Sequence, residues 1–214
     1  MILPLLLVIA VQPSQPDRFA RWEKEIAGIE KRLAAEPPKP GGTFFVGSST
    51  IRLWNLKKSF PDAGYVNVGF GGSEIRDCMH FASRIITPYK PKTIVFYAGD
   101  NDVASGRKPE QLLADFKEFA AAIHKQLPDC AILFLAVKPS VARWTQYEKQ
   151  KRANAMIEDY CGMNRRLTFI DTAPLLLGSD GKPNPELYAK DGLHLSAAGY
   201  EKWTPHVKKT LEAR

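Results

Sequence analysis

The sequence predicts a doubly wound α/β domain, a mostly parallel five-stranded sheet with helices on both faces. Three observations carry that prediction. Five short apolar or β-branched runs have strand length; segments with helical periodicity separate them; and the runs are apolar throughout rather than alternating. Strand and helix taking turns implies right-handed crossovers onto a parallel sheet.

The elements follow in order. Residues 17–36 form an N-terminal helix, because Phe19, Trp22, Ile26, Ile29 and Leu33 recur every three or four positions and make one buried stripe. The Pro37-Pro38-Lys39-Pro40-Gly41-Gly42 segment stops it, proline lacking an amide donor and glycine favouring turns. The main domain is then expected over 41–214. Its strands fall at 43–46, 65–68, 93–98, 131–137 and 167–171. Continuous apolar character implies burial on both faces of each. Helical stripes lie between them: Ile75, Met79, Ala82 and Ile86; Leu112, Phe116, Phe119, Ile123 and Leu127; Ala153, Met156, Ile157 and Tyr160. A last helix starts at Ser196, a good N-cap, and runs through Tyr200, Trp203, Val207 and Leu211, with Pro205 expected to kink or restart it.

Composition narrows the function classes. A chain of 214 residues has room for one ordinary domain. The net charge of +7 invites an anionic partner, but the basic residues are scattered and not interleaved with aromatics on one element, so no nucleic-acid partner is expected. Cys78, Cys130 and Cys161 have neither metal-ligand spacing nor an even-numbered framework, and read as small core residues with no disulfide assigned. No metal and no cofactor are expected. Residues 1–11 form an apolar run of signal-peptide core length, too short to span a bilayer, so 1–16 is read as a signal peptide or disordered tail. The expectation is export without integral membrane association. The missing basic residue ahead of the run keeps a cytoplasmic protein as the alternative.

In open α/β sheets, ligands bind beyond the carboxyl ends of the strands, and four loops there are chemically equipped. Gly47-Ser48-Ser49 follows the first strand and opens a short helix, where free amides favour developing negative charge; either serine could equally be a plain helix cap. Gly69-Phe70-Gly71-Gly72 follows the second strand and could cradle an oxyanion or serve only as a turn. Gly99-Asp100-Asn101-Asp102 follows the third and offers the Asn101 amide. Asp191-Gly192-Leu193-His194 is the strongest local signal. An aspartate three residues before a histidine can accept from Nδ1–H, fix the tautomer and leave Nε2 to take a serine proton. His80, His124 and His206 fall in helical patterns and read as surface or packing residues.

These four blocks, in this order, resemble the SGNH hydrolases, also called GDSL-like lipases or acylhydrolases. The family's Gly-Asp-Ser block matches Gly47-Ser48-Ser49, with Ser48 in the place usually held by aspartate; its second glycine falls on Gly72, its Gly-x-Asn-Asp block on Gly99 to Asp102, and its Asp-x-x-His block on Asp191 and His194. The resemblance implies a three-layer, flavodoxin-like SGNH hydrolase fold. It implies a Ser49–His194–Asp191 triad, an oxyanion hole of Ser49, Gly72 and Asn101, and carboxylic ester hydrolysis through an acyl-serine. The loop 138–144 lies at the same end of the sheet, so Arg143 and Trp144 are expected to line the substrate, Trp144 packing on the next helix being the alternative. Arg52 and Trp54, just past the nucleophile, raise the same question. Small-molecule or glycan acetyl esters are the favoured substrates. A lysophospholipase or thioesterase would share the triad, and a non-catalytic flavodoxin-like module would leave Asp191 and His194 without a purpose.

Overall fold

The computed structural model describes residues 17–213. Five strands, β1 (Thr43–Gly47), β2 (Val66–Asn67), β3 (Thr93–Tyr97), β4 (Ala131–Leu135) and β5 (Leu167–Ile170), form one all-parallel sheet in the order β2-β1-β3-β4-β5. The chain starts at β1, steps to β2 on one side and then to β3 on the other. The strand order therefore reverses at the β1/β3 junction, the place where ligands bind in open α/β sheets.

Side-chain alternation divides the core in two. Phe44, Val46, Ile94, Phe96, Ile132 and Phe134 point to one face, under α1 (Glu23–Ala35), α4 (Ile75–Ile85), α6 (Pro109–Gln126) and α7 (Tyr147–Gly162). Phe45, Val95, Tyr97, Leu133 and Leu135 point to the other, under α8 (Ala197–Glu212) and the short turns α2 (Ser49–Arg52) and α3 (Leu56–Ser59). One further short helix, α5 (Asp100–Ala104), follows β3. The three layers of the SGNH hydrolase fold are in place.

Four expectations need correction. The central strands β1, β3 and β4 are buried on both faces after their first residue, but the edge strands β2 and β5 keep half-buried residues because each has a neighbour on one side only. β2 is also two residues long rather than four. The Asn67 side chain ends it by donating to the Ile51 and Trp54 carbonyls and accepting from the Gly69 amide, which turns the chain toward the site. Nor does Pro205 restart the last helix, which runs on as one element through it. Trp203 and Val207, on either side of the proline, are both fully buried and hold the two halves to the sheet.

The N-terminal helix begins later than its periodicity indicates, a 3-10 turn over Ala20–Trp22 preceding α1. Its stripe is real, with Trp22, Ile26, Ile29 and Leu33 packed into the same core as α4. Cys78, Cys130 and Cys161 are buried free thiols. The expected signal segment lies outside the described residues, and among the described residues no helix is long and apolar enough to cross a membrane.

Candidate active site

The loops that leave β1, β2 and β3 at their carboxyl ends meet the loop that precedes α8. Gly47 ends β1 at φ 142°, and a Cβ there would lie 1.8 Å from the Tyr97 carbonyl oxygen, so only glycine lets β1 and β3 close at this point. Ser48 takes the N-cap position of α2 without making a side-chain cap bond, and its buried Oγ has no hydrogen-bond partner among the described residues. Ser49 is the first helical residue. Since α2 is a single turn, what it offers an anion is free amides rather than an extended dipole.

Ser49 Oγ lies 2.9 Å from His194 Nε2, and His194 Nδ1 lies 2.6 Å from Asp191 Oδ2. Asp191 Oδ1 accepts from the Leu193 and His194 amides at 2.9 and 3.0 Å. The hydrogen bond with His194, helped by those two amides, holds the Asp191 carboxyl well below the usual carboxylate range. Such a chain can hold the imidazole in one tautomer with Nε2 facing a hydroxyl proton. The loop itself is clamped from both sides, by the Ala189 amide on the His194 carbonyl and the Ala142 amide on the Gly192 carbonyl.

The glycine turn after β2 is held by the N-terminal helix. Trp22 Nε1 donates to the Gly71 carbonyl, Glu25 accepts from the Gly71 amide, and Arg21 reaches the Gly72 carbonyl. Gly72 has φ 69°, and its amide, like that of Ser49, makes no hydrogen bond among the described residues. Asn101, in α5, donates from Nδ2 to the Ser73 carbonyl at 3.1 Å. Beside it, Asp102 accepts from the Ile75 amide through Oδ1, and burial pushes its carboxyl up to about 7.

Arg143 reaches the site, though onto protein groups: its Nη1 lies 3.1 Å from Asn101 Oδ1 and 3.2 Å from Asp100 Oδ2. Trp144 stacks on Tyr147, the first residue of α7, with ring centroids 4.7 Å apart, as the packing alternative had it. Trp54 is buried and bonded to Ser59, while Arg52 pairs with Glu25. Of the remaining histidines, His80 stacks on Phe19, His124 bonds the Cys130 carbonyl and His206 is exposed. Sequence reasoning passed over Lys138 and Asp100. Lys138 donates to the Leu193 carbonyl at 2.9 Å, a contact across 55 positions that no local spacing encodes.

A groove of about 720 Å³ runs along the outer side of the histidine loop, bounded by Leu53, Trp54, Leu195, Ala197, Tyr200 and Pro205. It reaches Asp191 and His194 but not Ser49, Gly72 or Asn101. Large as it is, it adjoins Ser49 rather than containing it.

The sequence profile of the GDSL-like lipase/acylhydrolase family matches residues 51–202, more than half of the chain. The chain belongs to this family. It is therefore an ester-bond hydrolase. The matched span of the acylhydrolase begins just past Ser49, and takes in Gly72, Asn101, Asp191 and His194. The platelet-activating factor acetylhydrolase IB subunit alpha1 of Bos taurus is 25% identical to it over 198 residues, 89% of this chain and 81% of the relative. A GDSL-like lipase from Bacteroides thetaiotaomicron shares the fold with a TM-score of 0.71 at 22% identity, covering 92% of the acylhydrolase and 98% of the lipase. A catalytic mutant of an acetylxylan esterase from Geobacillus stearothermophilus gives 0.63 at 14% identity, with 80% and 94% covered.

Proposed function

We propose that this acylhydrolase is a serine esterase that removes small acyl groups, acetyl first among them, from small-molecule or glycan esters. The observation that carries the reading is the continuous chain from Ser49 Oγ through His194 to Asp191, at 2.9 and 2.6 Å. Ser49 Oγ attacks the ester carbonyl carbon while its proton passes to His194 Nε2, and Asp191 stabilises the imidazolium. The carbonyl oxygen, now an oxyanion, takes hydrogen bonds from the Ser49 and Gly72 amides and from Asn101 Nδ2, each such donor being worth about 2.7–4 kcal/mol in the transition state. The intermediate collapses, the alcohol leaves with the proton from His194, and water attacks the acyl-serine with His194 again as base. Ser49, and not Ser48, is the nucleophile in this reading, because Ser48 Oγ is fully buried and makes no bond to His194.

The preference for acetyl rests on the two relatives whose names give an acyl group, an acetylhydrolase and an acetylxylan esterase. The groove beside the histidine would take the alcohol part of the substrate. Its apolar lining also favours a second reading, a lysophospholipase or thioesterase acting on longer acyl chains. Export, the remaining part of the proposal, is supported by the apolar composition of residues 1–11.

Profiling p-nitrophenyl esters from acetate to palmitate, alongside acetylated oligosaccharides, separates the readings. The acetylesterase predicts kcat/KM highest at acetate and falling with chain length. A maximum at long chains would reject it in favour of the second reading. Labelling of Ser49 by a fluorophosphonate tests the serine mechanism directly, and a protein that hydrolyses esters while resisting the label would exclude it.

A further inference from the structure

Lys138, Asp100 and Arg143 form a cluster of charges under the site that the mechanism above does not use. Lys138 is 1% exposed and Asp100 5%, whereas Arg143 keeps 21%. An ammonium this deep costs several kcal/mol unless each of its donors is met. Lys138 has a partner in three directions: the Leu193 carbonyl at 2.9 Å, Asp100 Oδ2 at 3.7 Å and the face of Tyr97 with its centroid 5.9 Å away. Burial lowers its pKa while the Asp100 carboxylate acts to keep it charged. The same carboxylate oxygen takes the Arg143 guanidinium at 3.2 Å, so one atom of Asp100 joins two cations.

The two cations hold different parts of the site. Lys138 holds the carbonyl of Leu193, the residue before His194. Arg143 holds Oδ1 of Asn101. An amide side chain can be placed either way round, but a guanidinium can only donate and the Ser73 carbonyl can only accept. Between them they leave one orientation for Asn101, with Oδ1 on Arg143, one Nδ2 hydrogen on Ser73 and the other free for an oxyanion. Donation from a cation to Oδ1 also polarises the amide and strengthens its remaining donor.

We propose that Asp100, Lys138 and Arg143 act as one positioning unit, which fixes Asn101 through Arg143 and the His194 loop through Lys138, with Asp100 as the shared anchor. Arg143 on this account works through Asn101 and does not bind substrate. The proposal rests on the assignment of Asn101 and His194 in the preceding section.

A double-mutant cycle on p-nitrophenyl acetate hydrolysis tests it. Arg143→Met is expected to lower kcat about tenfold with KM within about twofold, and to cause no further loss when combined with Asn101→Ala. Arg143→Lys, which keeps the donor and the charge, should recover part of the loss. A raised KM, or a loss that multiplies with that of Asn101→Ala, would overturn the Arg143 half and make it a substrate contact. Lys138→Met, close in length and without charge, is expected to lower kcat about tenfold and to multiply with Asn101→Ala, since it acts on the His194 loop and not on Asn101. Unchanged turnover in a folded Lys138→Met protein would overturn the other half. Arg143, being partly exposed, decides the matter if Lys138→Met does not fold. Fluorophosphonate labelling of the parent protein separates two kinds of failure: no labelling of Ser49 removes the underlying mechanism, while labelling together with a multiplicative Arg143 effect removes the positioning unit alone.

Discussion

Asp191 and His194 stand three positions apart in one loop, with 49% of the Asp191 side chain and 26% of the His194 side chain open to solvent. Asp100 opens α5 and Lys138 lies in the loop after β4, both almost closed off, and Arg143 from the same loop covers them with 21% of its side chain still open. Both clusters pair acids with bases, yet different physics holds them. The exposed pair is kept by short-range hydrogen bonds within its own loop and is screened by water, so it costs the fold little and adds little to it. The buried cluster has no such relief, and each of its charges survives only because another segment supplies a partner. In the proposed mechanism the base has to reach solvent and substrate, whereas the proposed positioning unit does not.

The largest expected effect is at Ser49, itself buried but bonded to the exposed pair through His194. Ser49→Ala should lower kcat by at least about a thousandfold, equivalent to about 4 kcal/mol, with the far-UV circular dichroism unchanged. Ser48→Ala should stay within about tenfold of the parent in the same assay, and the reverse ranking would move the nucleophile to Ser48.

The two regions should respond to pH with opposite signs. Asp102 belongs to the buried side: its folded pKa rises from 3.8 to about 7, so between those values the folded state holds more proton than the unfolded chain. Stability should therefore fall as pH rises through that window, by up to about 4 kcal/mol, and Asp102→Asn should flatten the slope of Tm against pH. Asp191, whose folded pKa is lowered, contributes stability that is present above about pH 4 and is lost on acidification. If the Asp102→Asn protein kept the parent's slope, the buried side would not carry this titration.

Asp100→Asn leaves the Lys138 ammonium without its carboxylate, and chemical denaturation should show a loss of about 3 kcal/mol. Asn101→Ala should lower kcat about a hundredfold with KM little changed. A change confined to KM would make Asn101 a substrate contact instead of an oxyanion donor. The smallest effect is on the exposed pair. Asp191→Ala should cost about 1 kcal/mol of stability or less, since it removes a screened pair and two local hydrogen bonds. A stability loss as large as that of Asp100→Asn would erase the distinction between the two regions.

What could be read in advance follows the same division. Asp191 and His194 were visible because their partnership is written in a three-residue spacing. The central strands were visible because burial on two faces demands unbroken apolar runs, while the edges β2 and β5 departed from that pattern through having one neighbour each. That the helix does not restart at Pro205 could not be read locally, because Trp203 and Val207 on either side bind it to the sheet. The contacts of Arg143 with Asp100 and Asn101 have no sign in the sequence, since nothing in the loop 138–144 shows that those residues lie beside it.

The sequence by itself determined the layer architecture and the pairing of Asp191 with His194, both of which depend on periodicity or on neighbours a few residues apart. Only the tertiary structure decided that His194 meets Ser49 across 145 positions, that the N-terminal helix holds the Gly71–Gly72 turn, and that Lys138 spends its charge on Asp100 and the Leu193 carbonyl. A contact between distant segments leaves no trace in local spacing, because crossover lengths and sheet order bring the partners together.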